Sequence, residues 1–293
     1  MARVVMCHGI GYQFKHHETV LSDWYQCLRS GMTAQALEPP GHDQVALVGY
    51  GSCFRSIGAK SGSSEDEIKA LPPMGLSDVR DQIEFDLIES FTEGLEDDKD
   101  GVTKGLGQST LRRLERSDRL GRPPAKLILW LARQVRRYLD PDDDVRDQVQ
   151  DLFARFITAD TKVIIGHSLG SIIAYEAVSN NPEWNIDTFI TLGSPLGLRV
   201  VRERLVPAPA ADGTLHCPEV AQWHNIAADE DPIALVKELE PFLAPSSRNK
   251  ITDHKVVNSG LSRVLLGGHS VLRYLTTQEL AKAVGASLQV QRR

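Results

Sequence analysis

Residues 161–170 read T-K-V-I-I-G-H-S-L-G. Val163, Ile164 and Ile165 form an apolar run that stops at Gly166-His167-Ser168-Leu169-Gly170. Apolar residues at helical spacing follow: Ile172, Ile173, Ala174, Tyr175, Ala177 and Val178. Strand, sharp turn and helix in that order put Ser168 at the apex of a G-x-S-x-G turn. Such a turn pushes the serine hydroxyl clear of the backbone, and a glycine two residues to either side keeps strand and helix from colliding. The next amide, Leu169 N–H, stands at a helix start, where it can point at a developing negative charge. A bare G-x-S-x-G is a weak signal in a chain with 23 Gly, so the flanking strand and helix patterns carry the argument.

The same βα pattern recurs on both sides of this segment. Arg3 to Cys7 reads as a short strand ending at His8-Gly9-Ile10-Gly11, followed by helical spacing from Thr19 to Met32. Val45 to Tyr50 is a second strand candidate, and the Gly- and Ser-rich run 58–64 reads as a mobile loop. Thr188 to Leu192 is a strand ending at Gly193-Ser194-Pro195. Val220 to Ala227 is another, after which Asp231-Pro232 predicts a helix start. Lys250 to Val257 is the last strand, and a final helix is expected near Thr276. Strands alternating with helices imply an α/β fold with a mostly parallel central sheet flanked by helices. Chemistry in such sheets sits beyond the carboxyl ends of the strands.

Residues 77–139 break the alternation. Ile83, Leu87, Ile88 and Phe91 share a helix face, Leu127 to Leu131 is an apolar burst, and charge is dense throughout. The division expected is a core of residues 1–51 and 141–293 with a mostly helical, lid-like insertion at 52–140. Solvated helix faces are the ordinary fate of such charge. The sharper expectation is a lid whose Arg112, Arg113, Arg116, Arg119, Arg122, Arg133, Arg136 and Arg137 favour an anionic substrate group. A second amphipathic helix, Val145 to Ile157, leads back into the strand before Ser168.

Composition sets outer bounds. A chain of 293 residues with 41% hydrophobic and 25% charged residues has the makeup of an ordinary globular protein able to bury a sizeable core. A net charge of −6 argues against a dedicated nucleic-acid binder. No run of eighteen apolar residues is present to span a membrane, which leaves only peripheral lipid contact. The N-terminus reads directly as a strand, without a leader-like segment. Cys7, Cys27, Cys53 and Cys217 are scattered, with no C-x-x-C pair or zinc-like spacing, so a cytoplasmic protein with four reduced thiols is expected.

A serine at neutral pH needs a base, and the base needs a third group to hold its tautomer. His269, in a Gly-Gly-His loop after the last strand, is the candidate base. His167 reads as a packing or supporting residue inside the turn. Asp231 and Asp229 both follow the strand ending near Ala227, with Glu230 between them, and each is a candidate acid. Asp231 is also placed to cap a helix. Two N–H donors are needed for an oxyanion: Leu169 supplies one, and the early loop supplies the other, from Ile10 first and Gly9 second.

Taken together, these residues resemble the α/β-hydrolase superfamily on its lipase and esterase side. The likeness runs through H-G-I-G at 8–11, G-H-S-L-G at 166–170, L-G-S-P-L-G at 192–197, N-I-A-A-D-E-D-P-I-A at 225–234 and H-S-V-L-R-Y-L at 269–275. The third and fourth segments are similar to those of DDHD-type intracellular phospholipases, whose acid lies in a comparable D-P-V-A segment with Asn six residues earlier, as Asn225 precedes Asp231. The resemblance implies a Ser168–Asp231–His269 triad, an acyl-enzyme, a small-molecule or lipid acyl substrate, and no metal or organic cofactor. The insertion and the absence of a membrane-targeting segment depart from the phospholipases. Acyl transfer, thioesterase or macrocyclising chemistry would use the same triad. A non-catalytic binding protein on this scaffold is the reading from another class.

Overall fold

The computed structural model describes residues 1–12, 15–54, 79–93, 125–258 and 267–289. The loop expected at 58–64 and Arg112, Arg113, Arg116, Arg119 and Arg122 lie outside the described residues. The chain runs β1 (Val4–Cys7), α1 (His17–Ala34), β2 (Val45–Val48), α2 (Gln82–Glu93), α3 (Ala125–Leu139), α4 (Val145–Ala154), β3 (Val163–His167) and α5 (Leu169–Asn180). It continues with β4 (Thr188–Leu192), α6 (Arg199–Arg202), β5 (Gln222–Ala228), β6 (Ile251–Val256), α7 (Val271–Tyr274) and α8 (Gln278–Gln289).

All six strands are parallel, in the order β2-β1-β3-β4-β5-β6. The register aligns their carboxyl ends: Cys7 lies opposite Val48 and Gly166, His167 opposite Leu192, Leu192 opposite Ile226, and Ala228 opposite Val256. The order reverses at β1, whose neighbours are β2 and β3. A crevice opens at such a reversal, between the loops that leave the two strands in opposite directions.

Side-chain alternation divides the interior into two layers. Val5, Cys7 and Ile164 face one apolar cluster with α2, α3, α4 and α5. Val4, Met6, Val163 and Ile165 face the other, with α1, α7 and α8. Leu87, Ile88 and Phe91 of α2 and Leu129, Trp130 and Ala132 of α3 belong to the same apolar layer as α5, the helix that follows Ser168. Three arginines of this region, all on α3, are engaged locally. Arg133 pairs with Glu84 at 2.8 Å, Arg136 with Asp81 and Asp140, and Arg137 with Asp143 at 3.1 Å. No helix among the described residues is long and apolar enough to cross a membrane.

The segment after β5 differs from its expected form. Asp231-Pro232 does not open a helix; residues 231–239 are irregular. Asp231 Oδ1 does accept the Ile233 and Ala234 N–H groups, as a cap would, at 2.8 and 3.2 Å. The helix does not propagate because a local side chain and a neighbouring strand claim the backbone instead. Lys237 Nζ donates to the Ala228 and Asp231 carbonyls, and Asp253 accepts the Leu239 and Glu240 N–H groups.

Candidate functional site

Ser168 joins β3 to α5 with φ 54° and ψ −127°. A non-glycine residue held there stores on the order of 1–3 kcal/mol, which the surrounding packing must offset. The packing is tight. A side chain at Gly170 would collide with the carbonyl oxygens of Cys7 and His8, so α5 can cross β1 only with glycine at that position. From behind, Ser171 Oγ lies 2.5 Å from the Ser168 carbonyl and 2.6 Å from Ser194 Oγ. The Ser168 N–H donates to the Leu192 carbonyl at 3.0 Å, tying the turn to the end of β4.

Asp231 and His269 meet directly. Both carboxylate oxygens lie within hydrogen-bond distance of His269 Nδ1, at 2.9 and 2.8 Å, and both residues are buried. Because a carboxylate accepts, Nδ1 carries the proton, and the Nε2 lone pair of neutral His269 is free to take another. Burial alone raises the Asp231 pKa. The His269 imidazole, the Tyr274 hydroxyl and the Ile233 N–H outweigh it and hold the carboxyl below its ordinary value. Asp229 and Glu230 are exposed, so of the three acids it is Asp231 that faces the imidazole. Gly193, with φ 53°, passes beside the pair; a Cβ there would come within 2.7 Å of Asp231 Oδ2 and 3.0 Å of His269 Nδ1. The Gly268 backbone packs as closely on the Glu230 carbonyl.

Ser168 shares this rim. His167, its neighbour in sequence, has its ring 4.6 Å from the His269 ring, and its Nε2 lies 3.1 Å from the His269 carbonyl. Among the described residues no hydrogen bond joins Ser168 Oγ to His269. Such bonds are commonly long or misaligned in the free state and tighten with substrate. On the other side of the serine, a Cβ built on Gly9 would lie 2.8 Å from Ser168 Cβ. The H-G-I-G loop is therefore packed against the serine, on the β1 side of the sheet reversal. The Leu169 and Ile10 N–H groups have no backbone partner among the described residues.

Two supporting residues, Tyr274 and Lys237, were not singled out from the sequence, and a third, Asn225, was noted only for its spacing from Asp231. Tyr274 donates its hydroxyl to Asp231 Oδ2 at 2.7 Å and accepts the Ala228 N–H at 2.8 Å. Lys237 holds the Asp231 carbonyl at 3.0 Å. Asn225 spans three strands, accepting from Thr191 Oγ1 at 3.0 Å and donating to Asp253 at 2.7 Å. The sequence signals were slight: a tyrosine five residues past the histidine and a lone lysine in an irregular segment. His167 has its own role in the geometry. Burial, followed by the proximity of His269, pushes its pKa well down, so the ring is neutral and its Nε2–H donates to the His269 carbonyl.

Among the described residues no group of three or more His, Cys, Asp or Glu side chains is arranged to hold a metal ion. Comparison with protein-family models, curated proteins and solved structures finds no match, so the reading of this site rests on its geometry.

Proposed function

We propose that this chain is a serine hydrolase of the α/β-hydrolase type that cleaves a carboxylic or lipid ester through an acyl-enzyme on Ser168. The observation that carries the reading is the buried Asp231–His269 pair, 2.8 Å apart, on the same rim as a serine in a strained turn at a helix start. Ser168 Oγ attacks the acyl carbonyl while His269 Nε2 takes its proton. Asp231 keeps the Nδ1 proton in place and stabilises the imidazolium that forms. The Leu169 and Ile10 N–H groups receive the oxyanion. His269 then gives its proton to the departing alcohol, and water, activated by the same imidazole, releases the acid. Burial of the acid and base favours this division of labour, because a charge pair formed away from water is strengthened.

A fluorophosphonate probe and a p-nitrophenyl ester panel of increasing acyl length test it. Wild-type protein is expected to label at one site and to turn over at least one ester, and Ser168→Ala is expected to do neither. Labelling that persists in Ser168→Ala, or wild type inert to both reagents, would discard the proposal.

A further inference from the structure

A cleft of about 180 Å³ lies at the carboxyl ends of β1 and β2. His8 forms its inner wall, and the adjacent Gly9 is the residue packed against Ser168. Tyr12, Lys15, His17, Gly49 and Ser52 line the rest with Val20, Leu47 and Gly51. Its wall is firm. The His8 ring is buried, stacks on Tyr50 at 4.2 Å between centroids, and is held by a 2.7 Å bond from the Tyr50 hydroxyl to the His8 carbonyl.

The polar groups that face this space share one preference. Lys15 brings a full positive charge; its ammonium rests 4.9 Å from the Tyr12 ring centroid, at the cleft rim. His17 covers Gly49 so closely that a Cβ there would stand 2.8 Å from its Nδ1. His17 also opens α1, an 18-residue helix whose first turn has no side-chain cap. The unclaimed N–H groups of that turn add partial positive charge at the same place. Ser52 offers a hydroxyl. Among the described residues no Asp or Glu belongs to the lining, and Glu18 of the same helical turn lies outside it. His8 is neutral, since burial lowers its pKa to about 4, so the positive charge of the cleft comes from Lys15, with His17 beside it as a ring N–H donor.

We infer that this cleft receives an anionic group, a carboxylate or a phosphate, carried by the ester on the arm that extends from Ser168 past His8. The inference rests on the proposed hydrolase reading for the word ester, but the anion site itself does not. Chain connectivity points to the substrate's own anion: His8 lines the cleft, and the next residue, Gly9, packs on Ser168, so the loop proposed to hold the reacting ester leads to the cleft wall. The charge preference thus falls to Lys15 and His17 rather than to the described arginines of α3, which are paired locally.

Matched esters test this. Mono-p-nitrophenyl succinate against p-nitrophenyl butyrate places the charge on the acyl side. 4-Acetoxybenzoate against phenyl acetate places it on the leaving group. Lysophosphatidic acid against monoacylglycerol places it on a lipid headgroup. The readout is the ratio of kcat/KM within each pair, in wild type and in Lys15→Ala/His17→Ala. For at least one pair the double substitution should lower the charged-to-neutral ratio about three- to thirtyfold, and added salt should lower the wild-type ratio in the same direction. The pair that responds identifies the source of the anion. An unchanged ratio in all three overturns the inference. If wild type cleaves no ester, titration calorimetry with inorganic phosphate decides separately: binding to Ser168→Ala that is lost on adding Lys15→Ala/His17→Ala upholds the anion site, and equal or absent binding in the two removes it.

Discussion

Tyr274 Oη lies 2.7 Å from Asp231 Oδ2, and the same oxygen of Tyr274 accepts the Ala228 N–H at 2.8 Å. One hydroxyl therefore fixes the carboxylate that faces His269 and also closes the end of β5. Tyr274→Phe removes both bonds while keeping the ring. It should cost roughly 1–3 kcal/mol of stability, because Asp231 and the Ala228 N–H each lose a buried partner. Denaturant unfolding measures that loss. The fluorophosphonate labelling rate should fall as well, about tenfold, because the carboxylate is less well held. An unchanged rate in a destabilised variant would make Tyr274 structural only.

The two candidate acids separate cleanly in space. Asp231 is buried against the imidazole and Asp229 is exposed. Asp231→Asn should lower turnover on the order of 10³–10⁴-fold, since an amide no longer selects the Nδ1–H tautomer. Asp229→Asn should stay within about twofold of wild type, as expected of a surface change away from the reacting groups. Steady-state kinetics on a short p-nitrophenyl ester compares them. Equal rates for Asp231→Asn and wild type would exclude Asp231 as the acid.

His167 holds His269 by its backbone carbonyl. With its Nε2–H 3.1 Å from the His269 carbonyl, it steadies the loop that carries the imidazole. His167→Phe keeps an aromatic ring and removes the donor. The expected result is a kcat lower by about tenfold with KM nearly constant, because one buried hydrogen bond of ordinary strength is lost and no substrate contact is. A change confined to KM would instead place His167 in the substrate pocket.

Glu176 makes folding depend on pH. It is fully buried on α5, accepts the Tyr138 hydroxyl at 2.7 Å and the Val206 N–H at 2.9 Å, and lies 3.5 Å from Arg146. Burial pushes its pKa from 4.5 to about 7, against the opposing pull of Arg146, Tyr138 and Val206. A carboxyl with a raised folded pKa binds more protons folded than unfolded between those two values. Stability from this group is therefore full at low pH and declines as pH rises through the interval, then levels off. Wild type should lose about 3 kcal/mol relative to Glu176→Gln between pH 4 and pH 8. Urea unfolding of both proteins at several pH values measures the difference in slope. Parallel pH profiles would show that Glu176 does not titrate in this range.

The centre of the sheet was readable because β1, β3 and β4 are short and buried on both faces. Val4 to Cys7 and Val163 to Ile165 are unbroken apolar runs closed by glycine-containing turns, and such runs have few alternative structures. The helix expected at Asp231-Pro232 was not readable. Its capping bonds are local and present, but Lys237 folds back onto the Ala228 and Asp231 carbonyls and Asp253 of β6 takes the Leu239 and Glu240 N–H groups, and no periodicity announces that. Tyr274 was missed for the same reason: its partner is 43 residues away in sequence.

By itself the amino-acid order determined the local events: a strand, a strained serine and a helix at 163–180, and the succession of serine, acid and histidine along the chain. Nearest-neighbour sterics and hydrophobic period suffice for these, since both act over a few residues. Tertiary structure alone decided that Asp231 and not Asp229 faces His269, that Tyr274 and His167 brace the pair, and that a cleft lined by His8, Lys15 and His17 opens at the ends of β1 and β2. Those outcomes depend on strand order and register, which bring residues more than a hundred positions apart to one edge of the sheet, and only burial against the whole core selects that arrangement.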